Sequence, residues 1–93
     1  MPFIEALEID DQILEKIEIK HRISFEEVQE ACFFEGRHIR RGKEGLYKLF
    51  SQTEHGRYVL IVLVNLGKGS WKVVTARNMT GNERRPYVKA MGG

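Results

Sequence analysis

The chain has 93 residues, 42% of them apolar and 30% charged, with only two prolines. That length allows one domain built on a single layer pair, and that composition excludes a disordered chain. The net charge of +2 hides a polarity: residues 1–35 hold ten acids and three bases, whereas residues 36–93 hold three acids and twelve bases.

The basic half points to an anionic partner, unless the two halves lie together and neutralise within the fold. The longest apolar run, Tyr58–Val64, has seven residues, far short of the ~20 that span a bilayer, so no membrane association is expected. The N-terminus lacks a positive segment followed by an apolar one. A lone cysteine, Cys32, excludes an internal disulfide and a multi-cysteine metal site. A cytoplasmic protein is expected.

In chain order, Leu7 and Ile9 alternate with Glu8 and Asp10, the pattern of a short half-buried strand. Asp10 or Asp11 then caps a helix over residues 11–20, with Ile13, Leu14 and Ile17 on one face. His21 ends that helix, where a cation suits the dipole. Ser24-Phe25-Glu26-Glu27 is a capping box with Glu27 as its return arm. It opens a second helix over 24–32, whose Phe25, Val28 and Cys32 form a buried stripe. Gly36 ends this segment.

From there the period is two. Residues Arg37–Arg41 and Leu46–Gln52 read as strands around a turn at Gly42–Gly45, and Glu54–Arg57 as the next hairpin loop. Tyr58–Leu66 is almost wholly apolar, as in a central strand covered on both faces. A tight connection at Gly67–Ser70 leads to Trp71–Ala76, with Trp71, Val73 and Thr75 on one face and Lys72, Val74 and Ala76 on the other. Lys48 is the expected cross-strand counterpart of Lys72. Thr80-Gly81-Asn82-Glu83 is a second capping box, opening a helix through about Val88 that Pro86 shortens or kinks. Gly92-Gly93 is expected to fray, within a frayed tail over 91–93. The order predicts an α+β fold: two N-terminal helices on one face of a mostly antiparallel four-stranded meander, plus a short N-terminal strand and a short C-terminal helix.

No glycine-rich phosphate loop or serine elbow is present. His21, His38 and His55 lie 17 residues apart, without a second ligand at i+3 or i+4, so no metal site is expected. Phe33-Phe34 is the only aromatic doublet and reads as core.

Three blocks carry a resemblance. Lys20-His21-Arg22-Ile23-Ser24-Phe25-Glu26-Glu27-Val28 resembles the K-H-G-[IV]-S-F-E-E block of the BrnT toxin family. Val73-Val74-Thr75-Ala76-Arg77, followed by Glu83-Arg84 and Tyr87, is similar to that family's I-I-S-A-R…E-R…Y ending, and Gly56-Arg57 before an apolar strand also fits. The spacing from Ile9-Asp10 to Lys20-His21 equals that from the family's W-D to its K-H. Residues 9–87 are covered without a long gap. The sequence departs from the family at Ile13, where a lysine is frequent, at Ile17 (asparagine), at Leu46 (arginine) and at Ser51 (glycine); two of these changes remove cations.

The resemblance implies a single RelE-like ribonuclease domain over residues 1–93. It implies the toxin of a type II toxin–antitoxin system, a metal-free endoribonuclease that cleaves RNA, inhibits translation and needs no cofactor. The implied partners are RNA and a BrnA-like antitoxin of the ribbon-helix-helix type, in an oligomer formed with that antitoxin. The alternative is a catalytically degenerate member acting as a protein- or RNA-binding module, as the missing cations suggest.

Metal-free cleavage needs a base for the 2′-hydroxyl, an acid for the leaving 5′-oxygen and cations for the phosphorane. Arg77, at the end of a strand, is the first choice of cation, against the plainer role of pairing with Glu83. Arg84 clamps phosphate, contacts the antitoxin or is merely solvated. Tyr87 stacks, donates a proton or packs its helix on the sheet. His55 is the loop acid or base, if not idle. Lys48, Arg57 and Lys72 complete the set as RNA-binding cations, solvated lysine being the plainer reading for the first and last.

Overall fold

The computed structural model describes residues 3–91. Nine segments follow in order: β1 (Ala6–Glu8), α1 (Asp11–His21), α2 (Phe25–Phe33), β2 (His38–Arg41), a 3-10 turn (Lys43–Gly45), β3 (Leu46–Gln52), β4 (Tyr58–Gly67), β5 (Ser70–Asn78) and α3 (Gly81–Ala90). The strands make one mixed sheet in the order β1-β5-β4-β3-β2, antiparallel throughout except for β1 beside β5. The α+β expectation holds. Gly92 and Gly93 lie outside the described residues.

Alternation sorts the sheet into two faces. On the first, Leu49, Val59, Ile61, Leu63, Trp71, Val73 and Ala76 meet Ile17, Val28, Ala31 and Cys32 of α1 and α2 in one buried cluster. Each fully buried aliphatic side chain there adds about 1.5–3 kcal/mol by leaving water. Trp71 also donates Nε1–H to the Phe3 carbonyl at 3.0 Å, and Tyr47 meets its ring edge-on at 5.0 Å. Ile13 packs against this cluster and Ile17 is inside it, so positions that are lysine and asparagine in the resembled family are apolar packing positions here. Ser51 is fully buried, and its hydroxyl donates to the Ala31 carbonyl at 2.6 Å, tying β3 to α2.

The second face carries a smaller apolar layer. Leu60 and Tyr87 are buried but stand apart from the main cluster, because α3 crosses this side. β4 is the central strand as expected, covered on both faces at Leu60 and Ile61, yet its far end, Asn65–Gly67, runs into solvent.

Several local expectations need correction. Asp10 stands at the N-cap of α1 but its side chain makes no cap hydrogen bond; the carboxylate turns to Lys72 at 3.1 Å. β2 starts at His38 because both the N–H and the guanidinium of Arg37 bond the Phe34 carbonyl and close the turn after α2. The β4–β5 ladder slips between Val62 and Leu63: Val62 faces Thr75 while Leu63 faces Val73. This bulge re-aims the strand, so Ala76 joins Trp71 and Val73 in the core and Thr75 is exposed. Lys48 and Lys72 are not cross-strand partners, since β4 lies between them; Lys48 faces Val62 and Lys72 faces Val64. Pro86 does not shorten α3, which runs to Ala90 and closes with Met91 N–H on the Tyr87 carbonyl.

The two capping boxes form as read. Ser24 Oγ accepts from Glu27 N–H at 3.1 Å while Glu27 accepts from Ser24 N–H; Thr80 and Glu83 repeat the arrangement. In the β4–β5 hairpin Lys68 and Gly69 take φ of 53° and 82°, the left-handed pair of a type I′ turn.

Candidate functional site

The bulge in β5 decides what the second face displays. Past it, Arg77 stands opposite Leu60 and away from the helical layer. On the same face lie Thr75 and Lys72 of β5, Tyr58 of β4, Lys48, Phe50 and Gln52 of β3, and His38 and Arg40 of β2, by the pairings His38–Phe50, Arg40–Lys48, Lys48–Val62 and Gln52–Tyr58.

α3 is fastened across this face by three contacts. Arg77 forks onto Glu83, with Nη1–Oε1 at 2.7 Å and Nη2–Oε2 at 2.8 Å. Arg84 lies over the Tyr58 ring, 4.2 Å from its centroid. Tyr87 is buried edge-on between His38 (5.5 Å) and Tyr58 (6.0 Å), and its hydroxyl donates to the Gly36 carbonyl at 2.9 Å. A side chain at Gly36 would meet those of Met91 and Phe34.

The Glu83 carboxylate accepts from Arg77 and from the Thr80 N–H, and these bonds, chiefly those of Arg77, hold its pKa down to about 2 against the cost of burial. Arg77 is held charged by the same pair. A guanidinium has five N–H donors. Arg77 spends three, two on Glu83 and one on the Asn78 carbonyl. The Nε–H and the second Nη2–H remain, side by side on one edge of the fork, in the geometry that takes two phosphate oxygens. Burial pushes the Tyr87 phenol up, opposed by hydrogen bonding from Gln52.

The structure therefore brings Arg77, Arg84 and Tyr87 together. Lys48 shares their face and is exposed. Lys72 shares it too, but at the opposite end of β5 from Arg77, paired with Asp10. His55 sits apart, exposed at the tip of the β3–β4 hairpin. Arg57 is spent on structure: it donates to the His21 carbonyl (2.6 Å), the Arg22 carbonyl (2.7 Å), Asn78 (2.8 Å) and the Glu27 carboxylate (3.2 Å). These bonds clamp the α1–α2 corner to the ends of β4 and β5. Burial raises the Glu27 pKa, but bonds from Ser24 and Arg57 outweigh it and the net shift is downward.

Two residues of this face escaped the sequence reading. His38 flanks Tyr87, and Arg40 lies 5.8 Å from the Phe50 ring centroid. The alternation of Arg37–Arg41 puts His38 and Arg40 together, but only the register with β3 shows which face they share. Among the described residues no group of three or more His, Cys, Asp and Glu side chains is placed to hold a metal ion.

This architecture, a five-stranded mixed sheet with two helices on one side and a third crossing the other, is a BrnT-like fold. The ribonuclease toxin BrnT of Brucella abortus superposes with a TM-score of 0.69 at 13% sequence identity, over 81% of this chain and 96% of that one. No family model and no curated protein matches the sequence. At such identity the likeness is one of fold.

Proposed function

We propose that this chain is the toxin of a type II toxin–antitoxin pair, an endoribonuclease that cuts RNA without a metal ion and so arrests translation in the cytoplasm. The observation that carries the reading is the convergence of Arg77 and Arg84 at the start of α3, on a BrnT-like fold and on a face that also bears Lys48, Arg40 and His38.

In this reading the ribose 2′-oxygen attacks the adjacent phosphorus, the P–O5′ bond breaks, and the products are a 2′,3′-cyclic phosphate and a 5′-hydroxyl. The free edge of Arg77 holds two phosphate oxygens and offsets the charge gathered on the phosphorane. Glu83 positions Arg77 and is a poor base with a pKa of about 2. Arg84, exposed and without a carboxylate within 4.0 Å among the described residues, supplies the second cation. His38 fits the proton transfers better than His55, because it stands on the cationic face beside Tyr87. Tyr87 holds the helix in place and stays protonated. Lys48 and Lys72 bind flanking phosphates. A BrnA-like ribbon-helix-helix antitoxin neutralises the protein by covering this face.

Induction in a bacterial host tests the reading. Growth arrest is expected, relieved when a neighbouring antitoxin reading frame is co-expressed and abolished in an Arg77→Ala, Arg84→Ala variant. Arrest that persists unchanged in the double variant rules out this site.

A further inference from the structure

Between α3 and the edge of the sheet lies a cleft of about 160 Å3, lined by His38, Arg40, Phe50, Asn82, Glu83, Pro86, Tyr87 and Ala90. His38, Glu83 and Tyr87 have roles above, but no part of the RNA has been assigned to the space between them. Asn82, Pro86 and Ala90 recur every four residues, so one side of α3 forms one wall. β2 and β3 form the other, through His38, Arg40 and Phe50.

We infer that this cleft is a nucleobase subsite, which takes one unpaired base of the RNA whose phosphate lies on Arg77; the inference rests on the ribonuclease reading. The volume is below the ~300–1,000 Å3 of pockets for drug-sized ligands, and it suits a single flat ring rather than a whole nucleotide. Its surfaces have the required chemistry. Phe50 and Pro86 offer apolar faces to the base. Arg40, already over the Phe50 ring, offers a guanidinium plane that stacks on a π-system as readily as on phenylalanine. The polar groups at the rim are the His38 imidazole, the Asn82 amide and the Glu83 carboxylate, donors and acceptors for a base edge. Pro86 has no N–H for the Asn82 carbonyl one turn earlier, which leaves a further acceptor on this wall.

Charge selects the occupant. An aromatic side chain from a protein partner would fill the same shape, but Arg40 lines the cleft, and Lys48 and Arg77 lie on the same side of the sheet. A polyanion satisfies them along with the cleft. Glu83 links the two subsites, since it lines the cleft and holds Arg77 at once.

Amide-resolved NMR titration of the full chain with each of the four nucleoside 5′-monophosphates, with ribose 5-phosphate and with tyrosinamide tests this. At least one nucleotide is expected to shift the amides of His38, Phe50, Asn82 and Ala90, with ribose 5-phosphate and tyrosinamide leaving them in place. Ala90→Phe, which fills the cleft, and Phe50→Ala, which removes its platform, are each expected to weaken that nucleotide by about tenfold; amide dispersion outside the cleft reports whether each variant is folded. Equal shifts with ribose 5-phosphate would show a phosphate site only, and equal shifts with tyrosinamide a peptide groove; either overturns the inference. Cleavage of RNA by a chain whose cleft amides stay still would sink the subsite while leaving the ribonuclease reading intact. Base-dependent shifts in a chain that cuts nothing would do the reverse.

Discussion

Arg77 and Glu83 meet in a two-bond fork at 2.7 and 2.8 Å across the turn that joins β5 to α3. The same carboxylate accepts the Thr80 N–H and closes the capping box of α3. One acidic side chain thus fastens the helix, caps it and aims the strand's last cation, leaving one edge of that guanidinium open.

The pair predicts an acid-sensitive component of stability. In the folded chain Glu83 titrates at about 2, against 4.5 when unperturbed. Between those values the unfolded chain binds more protons, so this contribution is fully present above pH 4.5 and is lost as pH falls toward about 2. Denaturant titrations across this window should show a shallower loss of stability in Glu83→Gln than in the parent. Identical slopes would mean that the fork does not persist in solution.

Arg57 is predicted to act as a strut. Its four partners are two carbonyls of the α1–α2 corner, the Glu27 carboxylate and Asn78. Arg57→Ala should cost about 2 kcal/mol or more of unfolding free energy, the scale of hydrogen bonds to a charged group. Lysine, which lacks the planar fork, should recover little of it. A thermal melt within 1–2 °C of the parent, together with weakened RNA binding, would assign Arg57 to the ligand instead; a loss of ~2 kcal/mol corresponds to at least ~8 °C in a domain of this size.

Tyr87 separates packing from chemistry by two substitutions. Tyr87→Phe keeps the ring between His38 and Tyr58 and gives up one hydrogen bond to Gly36, about 1 kcal/mol. Tyr87→Ala empties the space beneath α3 and should cost about 3–5 kcal/mol. Cleavage is expected to survive the phenylalanine change; its loss with stability retained would make the phenol a proton donor.

Affinity for single-stranded RNA should fall with salt, by a slope of about −0.7 for each phosphate neutralised. Lys48→Ala, on the same face as Arg77, should flatten that slope by roughly this amount in a filter-binding series. Lys72→Ala should flatten it less, because Lys72 is shared with Asp10. The opposite ranking would move the RNA path to the β1 end of the sheet.

What the sequence disclosed was mostly local. Ser24–Glu27 and Thr80–Glu83 carry their geometry within four residues, and both caps form as read. Gln52 ends β3 where alternation places its end. The long-range features were hidden. The slip opposite Val62 and Leu63 leaves no mark in the residue types of β5, yet it decides that Ala76 enters the core and Thr75 leaves it. The role of Arg57 depends on carbonyls 35 and 36 residues away. His38 and Arg40 gained significance only when register set them on the face crossed by α3. The Arg77–Glu83 pair, six residues apart, is legible in the sequence as the plainer role of that arginine; only the geometry shows that pairing leaves two of its donors unspent.

The most direct measurement is cleavage of an end-labelled single-stranded RNA by the purified chain in EDTA, beside a folded Arg77→Ala, Arg84→Ala control. Cutting by the parent is expected, with fragments ending in a 2′,3′-cyclic phosphate, and none with the control. Intact RNA with a folded parent chain, or equal cutting by the control, would contradict that expectation.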